Sequence, residues 1–234
     1  MIVSLPEREK KSWYKKWWGI TLIVVFLFGL GFASLYTYQV YKIWQEAKSG
    51  KFLGKIGEAP FKMDELIDDL SPSLGQKKAK IVIVEFGDFS CVNSLKAFAT
   101  IRELAEKYKN EVKIIWRNFP VTKESSPDLA RAAICAHKQD KFWPMHDRLF
   151  QMQGNVPLDN LKGVAQKIGL NVTAFEKCFD SKIVDTDLKK DFFAAEYGAV
   201  KGTPTFFVNG YKIEGPIPLP MWDEIIDKLL KAVQ

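Results

Sequence analysis

Ile81-Val82-Ile83-Val84-Glu85-Phe86-Gly87-Asp88-Phe89-Ser90-Cys91-Val92-Asn93-Ser94 is the stretch on which the fold turns. Its first six residues form an apolar run broken by one carboxylate, the pattern of a strand buried on both faces of a parallel or mixed sheet. The run ends at Gly87-Asp88. From residue 94 to 108 the positions Leu95, Phe98, Ala99, Ile101, Leu104, Ala105 and Tyr108 recur at three- and four-residue steps, which predicts a helix with one buried face. Residues 112–116 read as a second strand, so a βαβ unit opens the domain and Cys91 stands where strand passes into helix.

Downstream, helical patterns dominate residues 127–197, punctuated at Gly154-Asn155, Pro157 and Gly169. Residues 205–208 and 211–214 are short strands around Asn209-Gly210, a dipeptide that suits a type I′ hairpin. A final amphipathic helix follows Pro220, with Trp222, Ile225, Ile226, Leu229 and Leu230 on its inner face. The order is βαβ, a helical block, then ββα, without an internal repeat or a low-complexity tract.

Upstream, residues 17–41 contain no Lys, Arg, Asp, Glu or His. At about 1.5 Å per residue such a run crosses a hydrocarbon layer of roughly 30 Å. Trp13, Tyr14, Trp17 and Trp18 flank it on one side and Tyr36, Tyr38, Tyr41 and Trp44 on the other, as amphipathic rings settle at two membrane interfaces. A spanning helix is expected over 17–41, and its length and paired aromatic flanks argue against a buried core helix. Arg8, Lys10, Lys11, Lys15 and Lys16 form the denser basic cluster, which assigns residues 1–16 to the cytoplasm. The competing reading is a cleaved signal peptide with a small-x-small site at Gly31-Phe32-Ala33. Either way the domain is exported. Residues 42–74 read as a polar stalk, with a short helix over 63–70, and residues 75–234 as the domain.

The 234 residues carry a net charge of +6, a value that in other chains signals nucleic acid. Of 34 Lys/Arg and 28 Asp/Glu, eight and three fall in the first 51 residues, leaving 26 against 25 in the rest. The folded part is near neutral, and no nucleic-acid partner is expected. Three scattered cysteines and two histidines lack ligand spacing, so no metal and no cofactor are expected. Asn171-Val172-Thr173 fits the glycosylation sequon, informative only in a eukaryotic secretory setting.

Three segments, residues 84–91, Lys141-Phe142-Trp143-Pro144-Met145-His146-Asp147 and residues 200–210 with Gly202-Thr203-Pro204, resemble signature segments of the DsbA-like disulfide oxidoreductases. The resemblance runs from about Leu74 to the C-terminus and implies an α/β thioredoxin fold with a helical insertion. It implies that Cys91 is the nucleophile, that Thr203-Pro204 is a cis bond facing it and pairing with extended peptides, and that Glu85 is a buried acid assisting proton transfer. It also implies a structural disulfide between Cys135 and Cys178. Read without the family, Cys91 is an ordinary buried thiol, Glu85 an edge carboxylate and the other two cysteines separate thiols. His137 and His146 read as helix-surface and packing residues.

The departure from the family lies at Cys91-Val92-Asn93-Ser94, where the family has Cys-x-x-Cys. Ser94 holds the position of the resolving thiol; its hydroxyl is placed to hydrogen-bond a Cys91 thiolate, or serves only as a first-turn serine. A helix start favours the thiolate. The expected function is membrane-anchored, extracytoplasmic thiol–disulfide exchange on polypeptide thiols or disulfides through a single cysteine, isomerase- or reductase-like. An external thiol or a membrane redox partner would complete the cycle. Two alternatives stay open: a redox-inactive peptide-binding or chaperone module, and an engineered trapping serine at 94.

Overall fold

The computed structural model describes residues 17–48, 61–68, 70–152, 157 and 160–232. Residues 1–16, most of the stalk and the Gly154-Asn155 break lie outside them. The chain divides into two compact units, Met1–Gly54 and Lys55–Gln234. In the first, α1 (Trp17–Lys48) is a continuous helix of 32 residues, longer than the expected span. Within it, Ile20–Gln39 is long and apolar enough to cross a membrane and is not buried against protein. The Thr21 and Thr37 hydroxyls fold back onto carbonyls three and four residues earlier, so neither donor is left unpaired in that segment.

The second unit runs α2 (Met63–Leu66), β1 (Ser73–Gly75), β2 (Ile81–Gly87), α3 (Val92–Lys107), β3 (Val112–Asn118), then the helices α4 (Ser126–His137), α5 (Phe142–Gln151), α6 (Leu161–Lys167), α7 (Val172–Phe179) and α8 (Lys182–Tyr197), and finally β4 (Thr205–Val208), β5 (Tyr211–Glu214) and α9 (Leu219–Ala232). This is the thioredoxin fold with its helical insertion. The strand order is β1-β3-β2-β4-β5. Among the described strands β2 and β3 pair in parallel, while β1–β3, β2–β4 and β4–β5 are antiparallel. The central position of β2, with a neighbour on each side, accounts for its near-continuous apolar run.

Alternation along the strands sends Val84, Phe86, Ile115 and Phe207 to one face, where they pack on Leu66 of α2 and on Ala194 and Ala195 of α8. The other face, with Ile83, Ile114 and Phe206, is covered by α3 and α9; the Phe206 and Trp222 rings meet edge-on at 5.1 Å. The helical insertion has its own core around Phe89, Trp116, Leu129, Met145, Phe150 and Phe175. Arg117 of β3 is buried against α8, with Nε 2.8 Å from Asp191 Oδ1 and Nη2 donating to the Lys190 carbonyl at 2.7 Å. Asn118 donates to Asp191 Oδ2 from its amide and its side chain, at 3.0 and 2.7 Å.

Two expectations need correction. The stalk does not extend to residue 74. Leu66 is fully buried, the Phe61 amide donates to the Gly210 carbonyl at 2.8 Å, and the Phe61 ring packs edge-on against Phe207. The short helix stops at Leu66, because Ile67 is extended and only its amide still bonds back to Met63. At the hairpin, Asn209 and Gly210 have φ of 47° and 90°, the positive pair that a type I′ turn requires.

Candidate active site

Gly87 ends β2 against the six-membered ring of Trp116, where any side chain would collide with the indole. The next residue shapes the loop. Asp88 is buried and its carboxylate accepts three amides: Ser90 N at 2.8 Å through Oδ1, and Val121 N and Thr122 N at 3.0 and 2.8 Å through Oδ2. Its carbonyl accepts Cys91 N at 3.0 Å, and its own amide points at Ser94 Oγ at 3.4 Å. One side chain thus ties the loop before Cys91 to the loop after β3.

Cys91 is the N-cap of α3, with extended backbone (φ −81°, ψ 123°), and its carbonyl accepts the Leu95 amide at 3.0 Å. That geometry turns the first free amides of the helix toward its side chain. The thiol is half-buried and free, and Sγ lies 3.2 Å from the carbonyl of Thr203, the residue before the cis bond to Pro204. Thr205 Oγ1 donates to the Gly202 carbonyl at 2.7 Å, and Gly215 N donates to the Pro204 carbonyl at 2.9 Å, which pins both sides of that bond. In the thiol form S–H donates to Thr203, a contact given up on ionisation. Burial pushes the Cys91 thiol up, but the Thr203 side chain, the amides of Ser94 and Asn93, and the Ser94 hydroxyl together hold it below the range of an ordinary thiol.

Ser94 is fully buried one turn into α3. With its oxygen accepting from Asp88, its proton is available to the sulfur. Glu85 lies in β2 between Trp116 of β3 and Phe206 of β4. It is 3% exposed, so the edge-carboxylate alternative does not hold, and burial alone pushes its carboxyl up to about 8. At neutral pH this acid is largely protonated, able to hold or release a proton six residues before the nucleophile.

Cys135 and Cys178 are joined in a disulfide between α4 and α7, with Cα atoms 5.7 Å apart. It sits in the insertion's core and leaves Cys91 unpaired. His146 is buried among Phe89, Phe98, Trp116, Phe142, Trp143 and Phe150, and burial lowers its pKa despite the Asp147 carboxylate 3.0 Å from Nδ1. It is a packing residue, whereas His137 reaches the Leu70 carbonyl at 2.7 Å. Asn171 caps α7 by accepting the Ala174 amide at 2.9 Å. Among the described residues no group of three or more His, Cys, Asp or Glu is arranged for a metal ion.

Cys91, Ser94, Thr203 and Pro204 therefore meet at one end of the sheet, Glu85 lies within the strand that leads there, and the disulfide stands apart. In the sequence Asp88 reads only as a strand terminator. An Asx residue two positions before an amide is a local signal for the Ser90 bond, but nothing local announces partners at 121 and 122.

A family model described as thioredoxin matches residues 68–228. A curated relative, the Na+/H+ antiporter NhaA 1 of Salinispora arenicola, is 31% identical over 189 residues, covering 78% of this chain and 29% of that protein. The chain thus spans less than a third of the length of the first curated relatives it matches. Among solved structures, a thioredoxin-like oxidoreductase from Silicibacter pomeroyi superposes with a TM-score of 0.67 at 25% identity, over 73% of this chain and 98% of that one. Wolbachia pipientis alpha-DsbA1 gives 0.63 at 25% identity, over 70% and 92%.

Proposed function

This chain belongs to the thioredoxin family, among its DsbA-like thiol–disulfide oxidoreductases, and from that premise we propose that it exchanges disulfides of polypeptide substrates through Cys91 alone. The observation that supports this most is the half-buried Cys91 sulfur at the start of α3, with its thiolate favoured and the Thr203 carbonyl 3.2 Å away. The Cys91 thiolate attacks one sulfur of a substrate disulfide; that S–S bond breaks, a Cys91–substrate disulfide forms, and the second substrate sulfur leaves as thiolate. Ser94 cannot expel the bound substrate, because an oxygen in its place forms no disulfide. The released substrate thiolate attacks a second disulfide of the same substrate, and the thiolate freed there attacks the Cys91-bound substrate sulfur and expels the Cys91 thiolate, which rearranges the pairing without net oxidation. Alternatively two external thiols finish the reaction, leaving the substrate reduced and themselves joined as a disulfide. Glu85 takes up or supplies the proton, and Thr203 presents backbone to an extended peptide.

Anchoring belongs to the same reading. The apolar stretch Ile20–Gln39 supports a single span, and the basic cluster before it supports a cytoplasmic N-terminus with the domain outside. Protease added to spheroplasts should then remove the domain; complete protection would contradict this topology.

Restoring the second sulfur tests the chemistry. Wild type should accumulate mixed disulfides that added thiol releases and show little oxidase activity; Ser94→Cys should gain a redox-active pair, and Cys91→Ala should lose all exchange. No trapped adduct in wild type and no gain in Ser94→Cys would reject the nucleophile and favour a peptide-binding module.

A further inference from the structure

Next to the reactive loop, α8 carries an apolar groove that the exchange chemistry does not use. We propose that it receives a large apolar side chain from the polypeptide whose disulfide Cys91 attacks, an inference that rests on the reading of Cys91 above. Phe119, Phe192, Phe193 and Val200 line it, Lys189 and Glu196 complete it, and it encloses about 650 Å³. Phe193 is 68% exposed and Phe192 37%, while the Phe119 and Phe192 rings meet edge-on at 5.6 Å and give one wall a fixed shape.

The groove is tied to the site of the thiol through the backbone. The Phe119 amide donates to the Gly87 carbonyl at 2.8 Å, at the end of the strand that leads to Cys91. Asp88 holds the Val121 and Thr122 amides just beyond Phe119. Val200, in the groove, precedes Thr203 by three residues, and the Thr203 carbonyl lies 3.2 Å from Cys91 Sγ. Three residues span at most about 10 Å. A substrate paired along Thr203 with its cysteine at Cys91 therefore carries a residue two to four positions away into reach of the groove. Val92 and Val121, 65% and 52% exposed, extend the apolar character over the two loops involved.

The alternatives fit less well. Six lining residues fall far short of the roughly 20–30 a side that a stable dimer needs. One lysine and one glutamate give no net charge to attract an anionic lipid surface. An uncharged, apolar peptide side chain matches the aromatic lining and the balanced charge of the groove, which has room for it.

The test uses the full chain in detergent micelles and two short peptides, each carrying one cysteine as a glutathione mixed disulfide, with Phe or Ser three residues from it. The quantity read is the rate of Cys91–peptide disulfide formation with release of glutathione thiolate, expressed as the Phe-to-Ser ratio. Wild type should favour the Phe peptide about tenfold, the scale of one pocket contact. The ratio should fall toward one in Phe193→Ser and be largely kept in Phe193→Leu. An equal ratio in wild type and Phe193→Ser, with normal reaction of wild type with oxidised glutathione, overturns the groove alone. If wild type fails with oxidised glutathione, the reading of Cys91 falls and the proposal with it. Sedimentation that shows a dimer dissociated by Phe193→Ser would assign the groove to a second copy instead. In a Cys91→Ala background, a fluorophore on Phe193→Cys that turns apolar in lipid nanodiscs without peptide would assign it to the membrane.

Discussion

Glu85→Gln isolates the cost of keeping an ionisable acid inside the sheet. The carboxyl is raised from an ordinary 4.5 to about 8, and burial is the cause. Below pH 4.5 it is protonated in both folded and unfolded chain and its ionisation contributes nothing. Between 4.5 and 8 the unfolded chain ionises while the folded one stays protonated, so stability falls by about 1.4 kcal/mol per pH unit. Above 8 the loss is complete, at about 5 kcal/mol, an upper figure because relaxation and water entry reduce it. Glutamine keeps the shape and cannot ionise. Near-UV circular dichroism of urea unfolding, with the disulfide intact, should show the variant gaining on wild type as pH rises from 4.5 to 8. Asp191, also raised, to about 6, loses stability with pH in the same sense but cancels in the difference between the two proteins. A difference that stays flat within about 1 kcal/mol across that range would refute a buried, protonated Glu85.

Asp88→Ala removes the acceptor of three backbone amides, one buried and two part-buried, and should cost about 2–4 kcal/mol; it should also slow Cys91 alkylation at every pH, measured alongside urea unfolding. Replacing both Cys135 and Cys178 by Ala opens a loop of 43 residues and should cost about 2–4 kcal/mol in denaturant midpoint analysis, while leaving Cys91 alkylation at its wild-type rate.

Much of this architecture was legible in the sequence because its signals are local. The run from Ile81 to Phe86 reads as a central strand since it is buried on both faces, and Asn209-Gly210 reads as a hairpin since its backbone must turn through positive φ. The three-residue β1 carries no periodicity; it forms because Leu74 meets Ile114 across the sheet, a partner 40 residues away that no window reports. Leu66 reads as stalk for the same reason, because its burial rests on α8 and β2. The site divides along the same line. The positions of Cys91 and Ser94 follow from a strand–helix junction, whereas the burial of Glu85 depends on β4 pairing on the second side of its strand, which no local pattern shows. Asp88 as a clamp and the Phe192–Phe193 groove depend on the loop after β3, which the chain brings back only in three dimensions.

Whether Cys91 is a live nucleophile is read from the pH dependence of its alkylation. With Cys135 and Cys178 joined, a small haloacetamide reports on Cys91 alone in the native chain. The midpoint of the rate should lie below that of an ordinary free thiol and move upward in Ser94→Ala as the hydroxyl's share is lost. A midpoint at or above that of a free thiol, unmoved by Ser94→Ala, would contradict it.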